Sequence, residues 1–199
     1  MRPGPRPLIL GAACLLFAVL AGCATDDPVG PPSGDPYPSV NFDLPESTLA
    51  TLERSVEHRR VSDYALCLTD SVGRGEPGFY ASFDPADLIE WLQAGNPPPP
   101  TWTFQREVTF FPSFLAYVPG AFYAMTLVPT RADELPDADT RILHRSYRVF
   151  AGSAPVAAGE AVLTFRRVGL AGEWKIRFWE DRRDTSGVRT WGTARLEGR

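Results

Sequence analysis

Four long segments typical of β-strands close this chain, and they constrain its fold more than any other feature. They cover residues 122–128, 141–150, 160–168 and 174–181. Turn-forming residues separate them, namely Pro136 with Asp137, Gly152 with Pro155, and Gly169 with Gly172. Strand-like segments joined by short turns predict an antiparallel sheet in which consecutive strands pair.

The segments before these strands predict helices. A helix begins at Pro45, because Leu49, Leu52 and Val56 recur at steps of three and four residues. A second helix follows, with Ser62 and Asp63 as its predicted cap.

Residues 79–83 read as a short strand, and Pro85 begins a third helix that ends at Leu92. Residues 102–114 fit neither the helical nor the strand period. Helices followed by an antiparallel meander predict an α+β fold, with the helices on one face of a strongly curved sheet. We expect residues 45–199 to form this single domain.

The first 22 residues predict export. Arg2 and Arg6 precede an apolar run of thirteen residues, 8–20, which is too short to span a bilayer comfortably. The run ends in Leu20-Ala21-Gly22-Cys23, which resembles the lipobox of bacterial lipoproteins. That resemblance implies cleavage before Cys23, acylation of its sulfur, and a membrane as partner through the lipid anchor. In bacterial lipoproteins an aspartate after the acylated cysteine often retains the protein at the inner membrane. Because this chain has Ala24 at that position, we expect the outer membrane, with the protein facing the periplasm.

Charge and composition limit the possible partners and describe the segment that precedes the domain. Loss of Arg2 and Arg6 with the signal leaves 18 of the 20 basic residues against 24 acidic ones, a formal charge of −6. Nucleic acid is therefore not an expected partner. Residues 23–44 are rich in proline and aspartate, which predicts an extended tether between the lipid and the domain. The mature chain keeps Cys23 for the lipid and Cys67 without a partner, so we expect no disulfide.

The order of elements resembles the cone-shaped fold of the nuclear transport factor two-like superfamily, which includes ketosteroid isomerase, scytalone dehydratase and SnoaL-type cyclases. The resemblance rests on residues 48–68, Phe150-Ala151-Gly152, residues 160–167, Trp174-Lys175-Ile176 and Trp179-Glu180-Asp181. In that superfamily the bent sheet and the helices enclose a pocket, and members without catalytic residues act as binding or dimerisation modules. Its catalytic trios do not map onto this sequence.

Signatures of known chemistry are sparse. The two histidines, His58 and His144, and the single unmodified cysteine are far apart, so no metal site and no cofactor are expected. Nucleophile-elbow, P-loop and dinucleotide-binding patterns are absent from the sequence. His58 reads as a surface histidine, and His144 is a weak candidate base.

The last strand carries the best candidate site. Simple alternation would place Trp179 and Asp181 opposite Trp174 and Ile176, whereas a bulge near Arg177 would turn both into the cone. An acid beside an aromatic wall could serve as acid or base. The competing interpretation pairs Asp181 with an arginine at the strand end.

Two functions follow from these observations. The first, which we favour, is a non-catalytic, lipid-anchored domain that binds a small apolar molecule, a protein or a second copy in a homodimer. The second is a lyase or isomerase that acts on a small apolar substrate with Asp181 and Tyr147 or Tyr123. Candidate ligand-binding residues in either case are Trp102, Tyr123, Tyr147, Trp179 and Asp181. An open cone would favour the enzyme, and a cone filled by aromatic side chains would favour the binding module.

Overall fold

A curved sheet with helices packed against it forms the domain. The computed structural model describes residues 40–70 and 78–198, so the predicted signal peptide, Cys23 and the tether up to residue 39 lie outside the described residues. The helices are α1 (Pro45–Glu57), α2 (Val61–Leu66), α3 (Pro85–Gln93), α4 (Phe104–Ala116) and α5 (Trp191–Glu197). Within the described ranges, no helix is long and apolar enough to cross a membrane.

The sheet has seven strands, β1 (Tyr80–Ser82), β2 (Trp102–Thr103), β3 (Tyr123–Pro129), β4 (Glu134–Asp137), β5 (Thr140–Ala151), β6 (Ala154–Val168) and β7 (Glu173–Arg182). Their order is β2-β1-β7-β6-β5-β3, and β4 pairs with β5. The three long strands β5, β6 and β7 form an antiparallel meander, whereas β1 lies parallel to β7. The predicted α+β fold class is confirmed.

The first helix lies along the free edge of the sheet. Leu52 and Val56 of α1 are fully buried, as their spacing predicts. Glu53 accepts a hydrogen bond of 2.7 Å from the backbone N–H of Leu127 in β3, the last strand of the sheet among the described residues. This contact protects the edge of β3 from pairing with another strand.

One local prediction for the helices needs correction. Ser62 and Asp63 do not cap α2, which begins at Val61 and has no side-chain cap at Arg60. Leu66 is 43% exposed, while Tyr64 supplies the buried contact of this short helix. Cys67 is buried, and its thiol donates to the carbonyl oxygen of Asp63.

Residues 102–114 are ambiguous in the sequence because they contain both kinds of structure. Trp102–Thr103 form β2, and helix α4 begins at the next residue. The buried stripe of α4 follows helical steps of three and one residues and consists of Glu107, Phe110, Phe111, Phe114 and Leu115. One position of this apolar stripe is therefore a carboxylate.

A bulge in β7 re-aims its second half. Thr164 pairs with Phe178 and Phe165 with Ile176, which leaves Arg177 as the extra residue. Ile176 before the bulge and Trp179 after it are both fully buried. The bulge that the sequence left as an alternative is therefore present, and it turns Trp179 and Asp181 into the interior.

The packed unit begins before Pro45. The carbonyl oxygen of Phe42 accepts a 2.8 Å hydrogen bond from the backbone N–H of Trp174. The Phe42 ring is 7% exposed, and the ammonium group of Lys175 lies 4.7 Å from its centroid. The predicted boundary between tether and domain at residues 44 and 45 thus falls inside a packed region.

Candidate functional site

The C-terminal helix α5, which the sequence analysis did not predict, enters the interior of the cone. Thr190 caps it, since its hydroxyl accepts a 2.9 Å hydrogen bond from the N–H of Thr193. Trp191 and Arg195 lie one helical turn apart and are both at most 1% exposed. Helix α5 therefore presents one indole and one guanidinium to the concave face of the sheet.

Aromatic rings surround Trp191. Its ring lies 6.0 Å from that of Trp179 in a stacked arrangement and 4.4 Å from that of Phe114. Phe110 meets it edge-on at 5.8 Å. These centroid separations are those of packed aromatic pairs, so side chains of the chain itself fill this part of the cone.

A buried ion pair joins α5 to α4. The Arg195 guanidinium donates from Nε to Glu107 Oε2 at 2.8 Å and from Nη2 to Glu107 Oε1 at 2.9 Å. Both side chains are fully buried. Burial disfavours the charge on Glu107, but the adjacent guanidinium and its hydrogen bonds outweigh it and hold the pKa of Glu107 below its usual range. The pair remains charged in the dry interior.

Three further donors complete the shell of the Glu107 carboxylate. The hydroxyl of Tyr64 donates to Oε1 at 2.5 Å, and Nε1 of Trp191 donates to the same atom at 3.1 Å. Nε1 of Trp102 donates to Oε2. Five hydrogen bonds thus converge on one carboxylate, which satisfies the rule that buried charges are paired and hydrogen-bonded.

Asp181 forms the second polar centre of the cone. Its Oδ1 accepts from the Tyr147 hydroxyl at 2.7 Å, and its Oδ2 accepts from the backbone N–H of Gly192. The Tyr147 oxygen in turn accepts from the N–H of Trp191 at 2.7 Å. Burial raises the pKa of Asp181 to about 6, although Arg195 and these hydrogen bonds act in the opposite direction. Burial, followed by the charge of Asp181, raises the pKa of Tyr147 well above its usual value.

The predicted pairing of Asp181 with an arginine at the strand end does not occur. Arg182 pairs with Glu180, and Arg183 binds Asp87 and Glu90 of α3. The bulge explains the difference, because it directs Asp181 into the cone and away from these exposed arginines. Its partners are the hydroxyl and backbone N–H described above.

The structure brings four of the five candidate residues to one interior. Trp102, Tyr147, Trp179 and Asp181 all lie within the network that α5 completes. Tyr123 lies at the other side of Phe114, and its hydroxyl donates to the Phe114 carbonyl oxygen at 3.1 Å. Tyr123 thus holds the end of α4 in place rather than joining Asp181.

The two histidines lie outside this network. His144 precedes Tyr147 by three positions on β5, so its side chain points to the opposite face of the sheet. There it contacts Glu134 at 2.8 Å and Arg131 at 3.0 Å. His58 terminates α1 next to Glu57. In the part of the chain that the structure describes, no three His, Cys, Asp or Glu side chains group to hold a metal ion.

Sequence reasoning missed three residues of the network, Glu107, Trp191 and Arg195. A signal for each was present. Glu107 falls on the apolar stripe of α4, which marks an acid that must be buried, and Thr190 followed by Trp191 and Arg195 fits a capped helix with one inward face.

Comparison with known proteins identifies the fold. No family model and no curated protein matches the chain. A protein assigned as a calcium/calmodulin-dependent protein kinase type II association domain from Thiobacillus denitrificans is 14% identical, with a TM-score of 0.51, over 74% of this chain and 100% of that one. A protein of unknown function from Mycobacterium tuberculosis is 13% identical, with a TM-score of 0.51, over 77% of this chain and 82% of that one.

A third solved structure carries the fold's name. It is a nuclear transport factor two-like protein of unknown function from Shewanella oneidensis, at 5% identity and a TM-score of 0.50, over 69% of this chain and 94% of that one. This chain has the nuclear transport factor two-like cone fold. At these identities the similarity shows the fold and nothing of the activity.

Proposed function

We propose that this chain is a lipid-anchored protein of the bacterial cell envelope whose cone-fold domain is a non-catalytic interaction module. The anchor rests on the lipobox ending at Cys23. The observation that carries the proposal for the domain is the occupation of the cone by Trp191 and Arg195 of the chain's own α5.

The contacts of Asp181 argue against the lyase or isomerase. A general acid or base must come within hydrogen-bond distance of the atom it protonates or deprotonates. Both oxygens of Asp181 are engaged, by Tyr147 and by the N–H of Gly192. Asp181 is fully buried and the first turn of α5 lies against it, so a substrate could reach Asp181 only after α5 had left the cone.

The anchor can be tested by metabolic labelling with palmitate. Cys23→Ser should abolish labelling, because the lipid is attached through the sulfur of that residue. Cys14→Ser is the matched control, since it changes a cysteine inside the predicted signal and should leave labelling intact. Equal labelling of the Cys23→Ser variant and the unchanged protein would contradict the lipoprotein assignment.

The interaction module can be tested by photo-crosslinking in intact cells. A photoreactive residue at Ile89 or Leu92, two exposed apolar positions of α3 beside α5, should give an adduct of one defined mass with another protein. Leu170, in the fully exposed turn between β6 and β7, is the control and should give none. Absence of adducts, together with one-to-one binding of a small apolar probe by the purified protein, would contradict a protein partner and assign the domain to a small molecule.

A further inference from the structure

The side chains that face α5 across the cone, here called the wall, are chemically complementary to this helix. They include Glu107, Asp181, Tyr147 and Trp179. Three of the five hydrogen bonds to the Glu107 carboxylate come from this helix, two from Arg195 and one from Trp191. Without α5, Glu107 would keep its hydrogen bonds from Tyr64 and Trp102 but lose its countercharge in an aromatic surrounding. Such a wall requires a guanidinium to be stable.

A second match lies at Asp181 and Tyr147. Each receives a backbone N–H from the first turn of α5, from Gly192 and Trp191 respectively. A Cβ on Gly192 would lie 2.8 Å from Asp181 Oδ2 and 3.3 Å from Phe83 Cδ1. The wall therefore accepts a segment in which glycine follows the tryptophan and arginine comes three residues later.

Helix α5 depends on contacts with the rest of the domain, since besides those above its Trp191 ring packs among Phe110, Phe114 and Trp179, and the Thr190 hydroxyl that caps it donates to Asp87. It is seven residues long, and a helix of this length is not stable by itself in water. It follows a polar connection, residues 183–190, in which residues 185–187 are exposed. Short elements on such exposed connections open at lower free energy than core strands do.

We propose that the interior of the cone is a recognition site for a partner's peptide segment with the pattern Trp-Gly-x-x-Arg, and that α5 occupies this site as a competing intramolecular ligand. The inference rests on the proposed interaction function and names the chemistry of the partner. The indole stacks on Trp179, and the guanidinium binds Glu107 and lies over the Trp179 ring, as Arg195 does at 4.9 Å. The apparent affinity for such a segment equals its intrinsic affinity multiplied by the fraction of molecules in which α5 has left the cone.

The experiment compares peptide binding to the full chain in three forms: unchanged, Gly192→Ala and Leu170→Ala. Gly192→Ala adds a methyl group against Asp181, which cannot turn aside because its other oxygen holds Tyr147, and it alters no charge in the wall. Leu170→Ala is the control, because it shortens a fully exposed side chain in the turn between β6 and β7. The probe is a fluorescent peptide with the sequence of residues 189–198, and a second peptide carries Arg195→Ala.

We expect the Gly192→Ala chain to bind the first peptide at least about tenfold more tightly than the other two chains do, since the methyl group weakens only the competing helix. The Arg195→Ala peptide should bind at least about tenfold more weakly, because it leaves Glu107 without a countercharge. Hydrogen exchange of the α5 amides reports whether the cone has opened. Should the alanine variant keep these amides protected, Gly192→Val provides a larger wedge.

Three results would overturn the inference. The first is an opened cone that takes up neither peptide, and the second is equal binding of both peptides. The third is self-association of the opened chain that excludes the peptide, which would assign the site to a second copy. None of these results touches the crosslinks from Ile89 or Leu92, so the interaction function can stand when this inference fails.

Discussion

Replacement of Asp181 by asparagine should change the pH dependence of stability in a defined direction. The buried carboxyl has a pKa of about 6, above the usual aspartate value of 3.8. A raised pKa means that the folded state favours the protonated acid. The contribution of the protonated Asp181 side chain to the free energy of unfolding is therefore complete below pH 3.8 and is lost as the pH rises through 6.

The magnitude follows from the size of the shift. One pKa unit corresponds to about 1.4 kcal/mol, so the difference between 3.8 and about 6 corresponds to about 3 kcal/mol of unfolding free energy. Asparagine is neutral at every pH and keeps one acceptor for the N–H of Gly192 or the hydroxyl of Tyr147. The stability of the Asp181→Asn variant, relative to the unchanged protein, should therefore increase by about 3 kcal/mol between acid and mildly alkaline pH.

The assay is urea unfolding of both proteins at a series of pH values, with the difference in unfolding free energy plotted against pH. Taking the difference cancels the other titrating groups. A second comparison repeats the experiment in the Tyr147→Phe background. Loss of the tyrosine hydrogen bond should raise the pKa of Asp181 further and move the pH-dependent change in stability to higher pH. A flat difference plot would show that the carboxyl pays no burial cost, and the account of the site would be wrong.

Three further changes test the packing. Arg195→Met and Glu107→Leu should each destabilise the protein by about 3–5 kcal/mol in urea unfolding, and the double variant should recover most of that loss. A double variant whose loss equals the sum of the two single losses would contradict the buried pair. Trp179→Ala should cost about 3–5 kcal/mol in the same assay, because it opens a cavity beside Trp191, and a loss below about 1 kcal/mol would mean that Trp179 is not packed in the interior. Phe42→Ala should lower the unfolding free energy by about 3 kcal/mol, and no change would place the domain boundary after Phe42.

Local sequence patterns were sufficient for most of the elements. The periodicity of Leu49, Leu52 and Val56 and the proline at position 85 predicted α1 and α3, because a helix start and one apolar face are properties of neighbouring residues. Alternation and turn residues predicted the antiparallel meander in the same way. The sequence also indicated where a bulge would matter, at Arg177, but pairing between β6 and β7 decided that it forms.

The site depended on contacts between residues far apart in the sequence. Glu107 is stable in the interior only because Arg195, 88 positions later, returns on α5 to neutralise it. The seven residues of α5 have too little local stability to predict their own docking, so their position follows from the aromatic wall and the carboxylates that receive them. The sequence determined that the chain would form helices on a curved sheet, whereas tertiary packing alone decided that α5 would fill the cone. The physical reason is that a buried charge and a short helix each become favourable only in the presence of the other.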